Sequence, residues 1–158
     1  MISVDIVEYL GDLRNLHLPK TAFLCSRRVP AGAILKCYDW AAEARDAGRC
    51  VISGFHSPIE KDVLYYLLKG NQPVIIALHR GIGPQIESRF AAEIEAGKLL
   101  IVSPFARSIR RGDARTAAVR NRLMVTIADS ITIGYASPDG ELSKIVSQAT
   151  KPASLLFE

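Results

Sequence analysis

The chain has 158 residues, 49% hydrophobic and 23% charged, with a net charge of +4. That composition fits one globular domain, typically ~100–200 residues and burying roughly 70% of its unfolded surface, and excludes a disordered or collagen-like chain. The longest uncharged runs, residues 50–59 and 70–79, are ten residues, against the ~20 apolar residues of a membrane span; with Asp5 and Glu8 early and no basic n-region, no signal peptide is expected.

Residues 4–10 read as a short outer helix. Residues 21–25 (Thr-Ala-Phe-Leu-Cys) read as a buried strand, followed by a helix over 33–47 with Ile34, Cys37, Ala41 and Ala44 on one face and Gly48 as its stop. Residues 50–53 form the next strand. Ser57-Pro58-Ile59-Glu60 has the form of a capping box with proline at the first helical position, opening a helix to about Lys69. A strand over 73–78 precedes a helix over 84–96, with Ile86, Phe90 and Ile94 at helical spacing. Then come a strand over 99–102, a helix over 114–128, a strand over 130–133, a helix over 141–149 and a last strand or tail over 152–157.

Strands alternating with helices imply βαβ units, and continuous apolar strands imply a mostly parallel sheet covered on both faces. The expected fold is α/β: a three-layer Rossmann-like domain over residues 1–158, with five or six strands and residues 1–18 as a short N-terminal extension. Ligands of such sheets sit beyond the carboxyl ends of the strands, where the strand order reverses.

The residues after each strand are therefore the ones that matter. Ser26-Arg27-Arg28 follows the first, suited to phosphate oxygens because arginine gives bidentate charge-assisted hydrogen bonds; an ordinary polar loop is the alternative. Ser53-Gly54-Phe55-His56-Ser57 follows the second. Gly54 permits a close backbone approach, the helix start is expected to offer free N–H groups to an anion, and Glu60 reads as a cap. His56 is either a ligand contact or a loop histidine with no special task. His79-Arg80-Gly81-Ile82-Gly83 is a basic glycine-rich turn that lacks the third glycine of a dinucleotide fingerprint. Pro138-Asp139-Gly140-Glu141 places another helix start at the rim.

Residues 107–122 hold six arginines and one acid, a net +5 that leaves the rest of the chain at −1. A local cluster suits a phosphate-bearing partner; a solvated helix face is the alternative. Arg115 and Arg122 lie seven apart, within about 20° on a helix, and are expected to reach from the core edge toward the crevice. The cysteines, Cys25, Cys37 and Cys50, form no CxxC and are expected as buried thiols in a reducing cytoplasm. No metal-ligand spacing, nucleophile elbow or GxxxxGK[ST] loop occurs, and no cofactor is expected.

The order of these motifs resembles the DNA-processing protein A (DprA/Smf) family. Leu24-Cys25-Ser26-Arg27 resembles its strand-end GSR, with Cys25 in place of glycine. Residues 53–60 resemble its SGxAxGID, with Pro58 for glycine and Glu60 for aspartate, and Leu64 stands where the family often has histidine. Residues 99–105 lie where the family has its LISEYP-like segment, residues 118–124 resemble its RNRIIAGLS helix, and residues 131–136 with Gly140-Glu141-Leu142 resemble its closing strand and SGSL turn. The match spans roughly residues 21–157. It implies a domain of the SMF/DprA–LOG (SLOG) superfamily, a basic pocket for single-stranded DNA, recombinase loading and a homodimer, and it transfers Ser26, Arg27, Gly54, Phe55, Arg120, Asn121 and Arg122 as pocket residues. The PGGxGTxxE signature of the superfamily's phosphoribohydrolases does not occur.

The leading expectation is a non-enzymatic domain that binds single-stranded DNA. Its phosphate-binding set is Ser26, Arg27, Arg28, Gly54, Phe55, His56, Ser57, Arg80, Gly81, Arg115, Arg120, Asn121, Arg122 and Gly140, with no catalytic or metal-binding residue and no membrane partner. Two alternatives stay open: a small-nucleotide sensor or nucleotide-processing enzyme using the same crevice, and a structural module whose arginines make ion pairs across a homodimer.

Overall fold

The computed structural model describes residues 5–158. Six short segments pair in parallel: β2 (Lys20–Leu24), β3 (Cys50–Ser53), β4 (Val74–Ala77), β5 (Leu99–Ser103), β6 (Ser130–Ile133) and β7 (Ala153–Leu155), the first five largely buried and β7 exposed at the edge. A seventh strand, β1 (Glu8–Leu10), lies antiparallel along β5, with Glu8 opposite Ser103 and Leu10 opposite Ile101. The sheet order is β1-β5-β4-β3-β2-β6-β7, a three-layer Rossmann-like arrangement.

Seven strands form where five or six were expected. The added one corrects the reading of the N-terminal segment as a helix. Val4 lies outside the described residues, and from Val7 onward the chain satisfies its backbone along the free edge of β5, the Val7 N–H donating to the Ser103 carbonyl at 2.8 Å. An open sheet edge offers a full ladder of partners, which outweighs a weak local helix preference.

Alternate strand residues feed two cores. Phe23, Val51, Val74, Ile76, Leu99 and Ile101 face α1 (Ala31–Asp46), α2 (Pro58–Leu67), α3 (Pro84–Arg89) and α4 (Ala91–Glu95). Ala22, Leu24, Ile52, Ile75, Leu100, Val102, Ile131 and Ile133 face α5 (Ala114–Ile127) and α6 (Glu141–Gln148). The helix expected over 84–96 is broken in two. Phe90 turns its side chain into the core (5% exposed), and its backbone leaves the helical region at φ −113°, ψ 18°.

The chain winds outward from β2 through β3 and β4 to β5, then returns to the other side of β2 as β6. The strand order therefore reverses between β2 and β6. There the Ser26 N–H donates to the Tyr135 carbonyl and the Ser137 N–H to Ser26 Oγ, both at 2.9 Å, so the loops after β2 and β6 form one floor.

Phe23 is fully buried in the middle of the sheet and stacks on Trp40 of α1, ring centroids 4.9 Å apart at 18°. Phe23→Ala removes that stack and leaves a cavity, and is expected to cost about 3–5 kcal/mol, read as a lower urea midpoint at unchanged slope.

Candidate nucleic-acid interface

A cavity of about 620 Å³ opens at the reversal point. Its walls come from three strand ends and two helices: Ser26, Arg27 and Arg28 after β2; His56 and Ser57 after β3; Arg120 and Asn121 on α5; Ser137 after β6; and Gly140 at the start of α6.

Glu60 organises the near wall. Its carboxylate accepts from three backbone N–H groups: Cys25 at 3.0 Å through Oε2, and His56 at 2.9 Å and Ser57 at 3.1 Å through Oε1. The Glu60 N–H in turn donates to Ser57 Oγ at 3.3 Å, completing the expected capping box. The bond to Cys25 goes beyond a cap, because it ties the loop after β2 to the start of α2. It also narrows the expectation of free amides there to the Ile59 N–H, which makes no hydrogen bond. His56 and Ser57 spend their N–H groups on Glu60, Glu60 spends its own on Ser57, and Pro58 has none. The negative end that a helix start attracts is supplied from within the chain.

Cationic character comes instead from side chains. Arg27 and Arg28 are exposed at the mouth, whereas Arg120 is only 8% exposed. Its Nε donates to Asn121 Oδ1 at 3.0 Å, its Nη1 is buried without a hydrogen-bond partner, and no carboxylate lies within ion-pair distance of it among the described residues. Burial lowers its pKa, and the charge of Glu60 works in the opposite direction.

Gly54 makes that burial possible. A Cβ there would run into the Arg120 guanidinium. The positive φ of this turn falls on its neighbour Phe55 (47°), whose side chain is in the core. Phe55 is thus held in a left-handed conformation that a bulky residue rarely adopts.

His56 and His79 pack against each other with their rings tilted by 58° and centroids 4.6 Å apart. Burial, then the positive charge of Arg120, push both histidines down, His79 to about 4. Both are neutral at pH 7, so the arginines carry the charge.

The fourteen residues expected from sequence divide in space. Ser26, Arg27, Arg28, His56, Ser57, Arg120, Asn121 and Gly140 line the cavity. Gly54 and Phe55 support it from behind. Arg80 and Gly81 line a separate cavity with Arg107 and Arg110. Arg122 borders a groove with Val125, Thr126 and Ile145 instead, and Arg115 is exposed and lines neither cavity. The reason is helical phase: Arg120 and Arg122 are about 200° apart on α5, so one helix cannot turn both to the same crevice. Glu60 as a tie and Ser137 as a wall were not anticipated. The Ser57–Glu60 spacing marks the cap, and nothing local marks the reach to Cys25.

Among the described residues no cluster of three or more His, Cys, Asp or Glu side chains gathers in a metal-ligating arrangement, and no helix is long and apolar enough to cross a membrane.

The family model for DNA recombination-mediator protein A matches residues 4–149. The chain belongs to the DNA recombination-mediator protein A family. The fold agrees with that membership. The structure is similar to DNA processing protein A (DprA) from Streptococcus pneumoniae, with a TM-score of 0.76 and 16% identity over 93% of this chain and 53% of that one. It is also similar to DprA from Helicobacter pylori, with a TM-score of 0.74 and 21% identity over 93% and 69%, a protein described in its single-stranded DNA binding mode. The molybdenum cofactor carrier protein of Chlamydomonas reinhardtii shares the fold more distantly, with a TM-score of 0.54 and 10% identity over 87% and 75%. No curated protein sequence matches the chain significantly. The chain thus spans about half the length of the S. pneumoniae DprA.

Glu60→Ala leaves buried amides without acceptors and is expected to destabilise by about 2–4 kcal/mol; faster hydrogen exchange at the Cys25 and His56 amides would mark the untied loops. His79 predicts an acid limb. Its pKa of about 4 lies below the unfolded value of 6.5. Between these values the unfolded chain binds more protons, so stability falls as pH drops from 6.5 toward 4. His79→Gln is expected to flatten that part of a urea-midpoint profile against pH.

Proposed function

We propose that this member of the recombination-mediator family is a non-enzymatic domain that binds single-stranded DNA, holding backbone phosphates in the crevice between β2 and β6. The observation that carries the reading is Arg120. A guanidinium buried to this degree is normally paired, because an isolated buried charge is costly. Here Glu60, the carboxylate whose charge acts on Arg120, is committed to three backbone amides, and a phosphate at the crevice supplies the missing counter-charge. Arg27 and Arg28 at the mouth extend the positive surface beyond a single phosphate, and the Ser26 hydroxyl, which accepts from Ser137, keeps its own proton to donate. Family membership and the single-stranded DNA binding of the H. pylori relative support DNA over a free nucleotide. The reading includes a homodimer in the cytoplasm.

Fluorescence anisotropy with a labelled oligothymidylate tests it. Binding is expected to weaken steeply with salt, log K falling by about 0.7 per phosphate contact for each unit of log salt. Arg27→Ala and Arg120→Gln are each expected to weaken binding by on the order of tenfold, the loss of one charge-assisted contact of about 1.4 kcal/mol. Absence of binding at low salt overturns the proposal, as does stabilisation by one free nucleotide and by no oligonucleotide in a thermal-shift series. Sedimentation at micromolar concentration checks the dimer.

A further inference from the structure

Beside the crevice lies a second cavity of about 440 Å³, lined by Arg80, Gly81, Ile82, Arg107 and Arg110 among others. It is built by the loop after β5 folding onto the loop after β4. The Gly81 N–H donates to the Ile109 carbonyl at 2.7 Å, Ser103 Oγ donates to the Arg80 carbonyl at 2.7 Å, and Arg107 Nη1 donates to the Ile82 carbonyl at 3.3 Å. A Cβ at Gly81 would strike the Ala106 carbonyl, so glycine is what lets the two loops close.

The result is three guanidiniums around one hollow, of which only Arg107 has carboxylates nearby among the described residues. Arg107 reaches Glu8 and Glu87 only at 3.9 Å, and Arg80 and Arg110 have no carboxylate within ion-pair distance among the described residues. The hollow and the crevice share no lining residue but are neighbours through His79. His79 directly precedes Arg80, its ring lies 4.6 Å from that of His56 on the crevice wall, and Gly112 leaves room for the loop to pass over it.

We propose that this second cavity holds a further phosphate of the same DNA strand, so that the strand runs from Arg27 and Arg120 across the His56–His79 pair to Arg80 and Arg110. Arginine forks suit phosphate oxygens, and the paired imidazole rings offer a face on which an intervening base stacks. The inference rests on the crevice being a single-stranded DNA site and adds the direction and length of the strand beyond it.

The test compares oligothymidylates of about four and about twenty nucleotides, a range that brackets common single-strand site sizes, on the wild-type chain, on Arg80→Ala with Arg110→Ala, on Arg110→Glu alone and on Arg27→Ala. The double variant is expected to lose on the order of tenfold in affinity for the long strand with little loss for the short one, and to flatten the salt dependence by about 0.7, the share of one phosphate contact. Arg110→Glu, an exposed single change, is expected to show the same length-selective loss at unchanged melting temperature. Wild-type affinity for the long strand in both variants, with Arg27→Ala impaired, overturns the second cavity and leaves the crevice reading standing. Equal losses at both lengths also overturn it, because the arginines would then not form a separate subsite. Failure of the wild-type chain to bind either strand overturns both readings.

Discussion

One carboxylate sets the electrostatics of the crevice. Glu60 is buried and accepts from the amides of Cys25, His56 and Ser57, so its charge is spread over three backbone dipoles and fixed in place. In that position it takes up the His56 and Ser57 amides at the start of α2, joins the loops after β2 and β3 into one wall, and is not available to Arg120. A carboxylate free to rotate toward Arg120 would form a buried ion pair and neutralise the site. The commitment of one charge to the backbone is what leaves the other uncompensated.

Arg120 in turn shapes the packing around it. Its guanidinium sits where a Cβ of residue 54 would be, and the backbone turn that brings Gly54 there transfers the left-handed conformation to Phe55. Phe55 tolerates it because its ring is anchored in the core with Ile59 and Leu78. A residue in an unfavourable conformation at the edge of a ligand-sized cavity is thus held by apolar burial rather than by local hydrogen bonding alone.

Much of this architecture was legible in the chain. Buried parallel strands leave runs such as Val74–Ala77 that no amphipathic helix would show, and Ser57-Pro58-Ile59-Glu60 marks a helix start by chemistry alone. The order of strand ends and turns also pointed to the family. What was not legible depended on partners distant in sequence. β1 is a strand because β5 has a free edge, and Phe90 breaks a helix because the core draws it in. The arginine cluster looked like one surface in the sequence, and the phase of α5 distributes it over several: Arg120 in the crevice, Arg122 on the far side, and Arg107 and Arg110 ahead of the helix beside Arg80.

Asp113 fixes that phase. Its side chain accepts from the Thr116 N–H at 2.9 Å while Thr116 Oγ1 accepts from the Asp113 N–H at 2.8 Å, so α5 begins at a defined residue and Arg120 follows seven positions later. Residues inserted or deleted ahead of Asp113 would change the length of the loop over His79 without rotating Arg120, since the count from cap to guanidinium is preserved. The chain therefore separates a fixed element from an adjustable one at a single hydrogen-bonded joint, and the preceding loop can be lengthened, shortened or recharged while the buried cation keeps its aim.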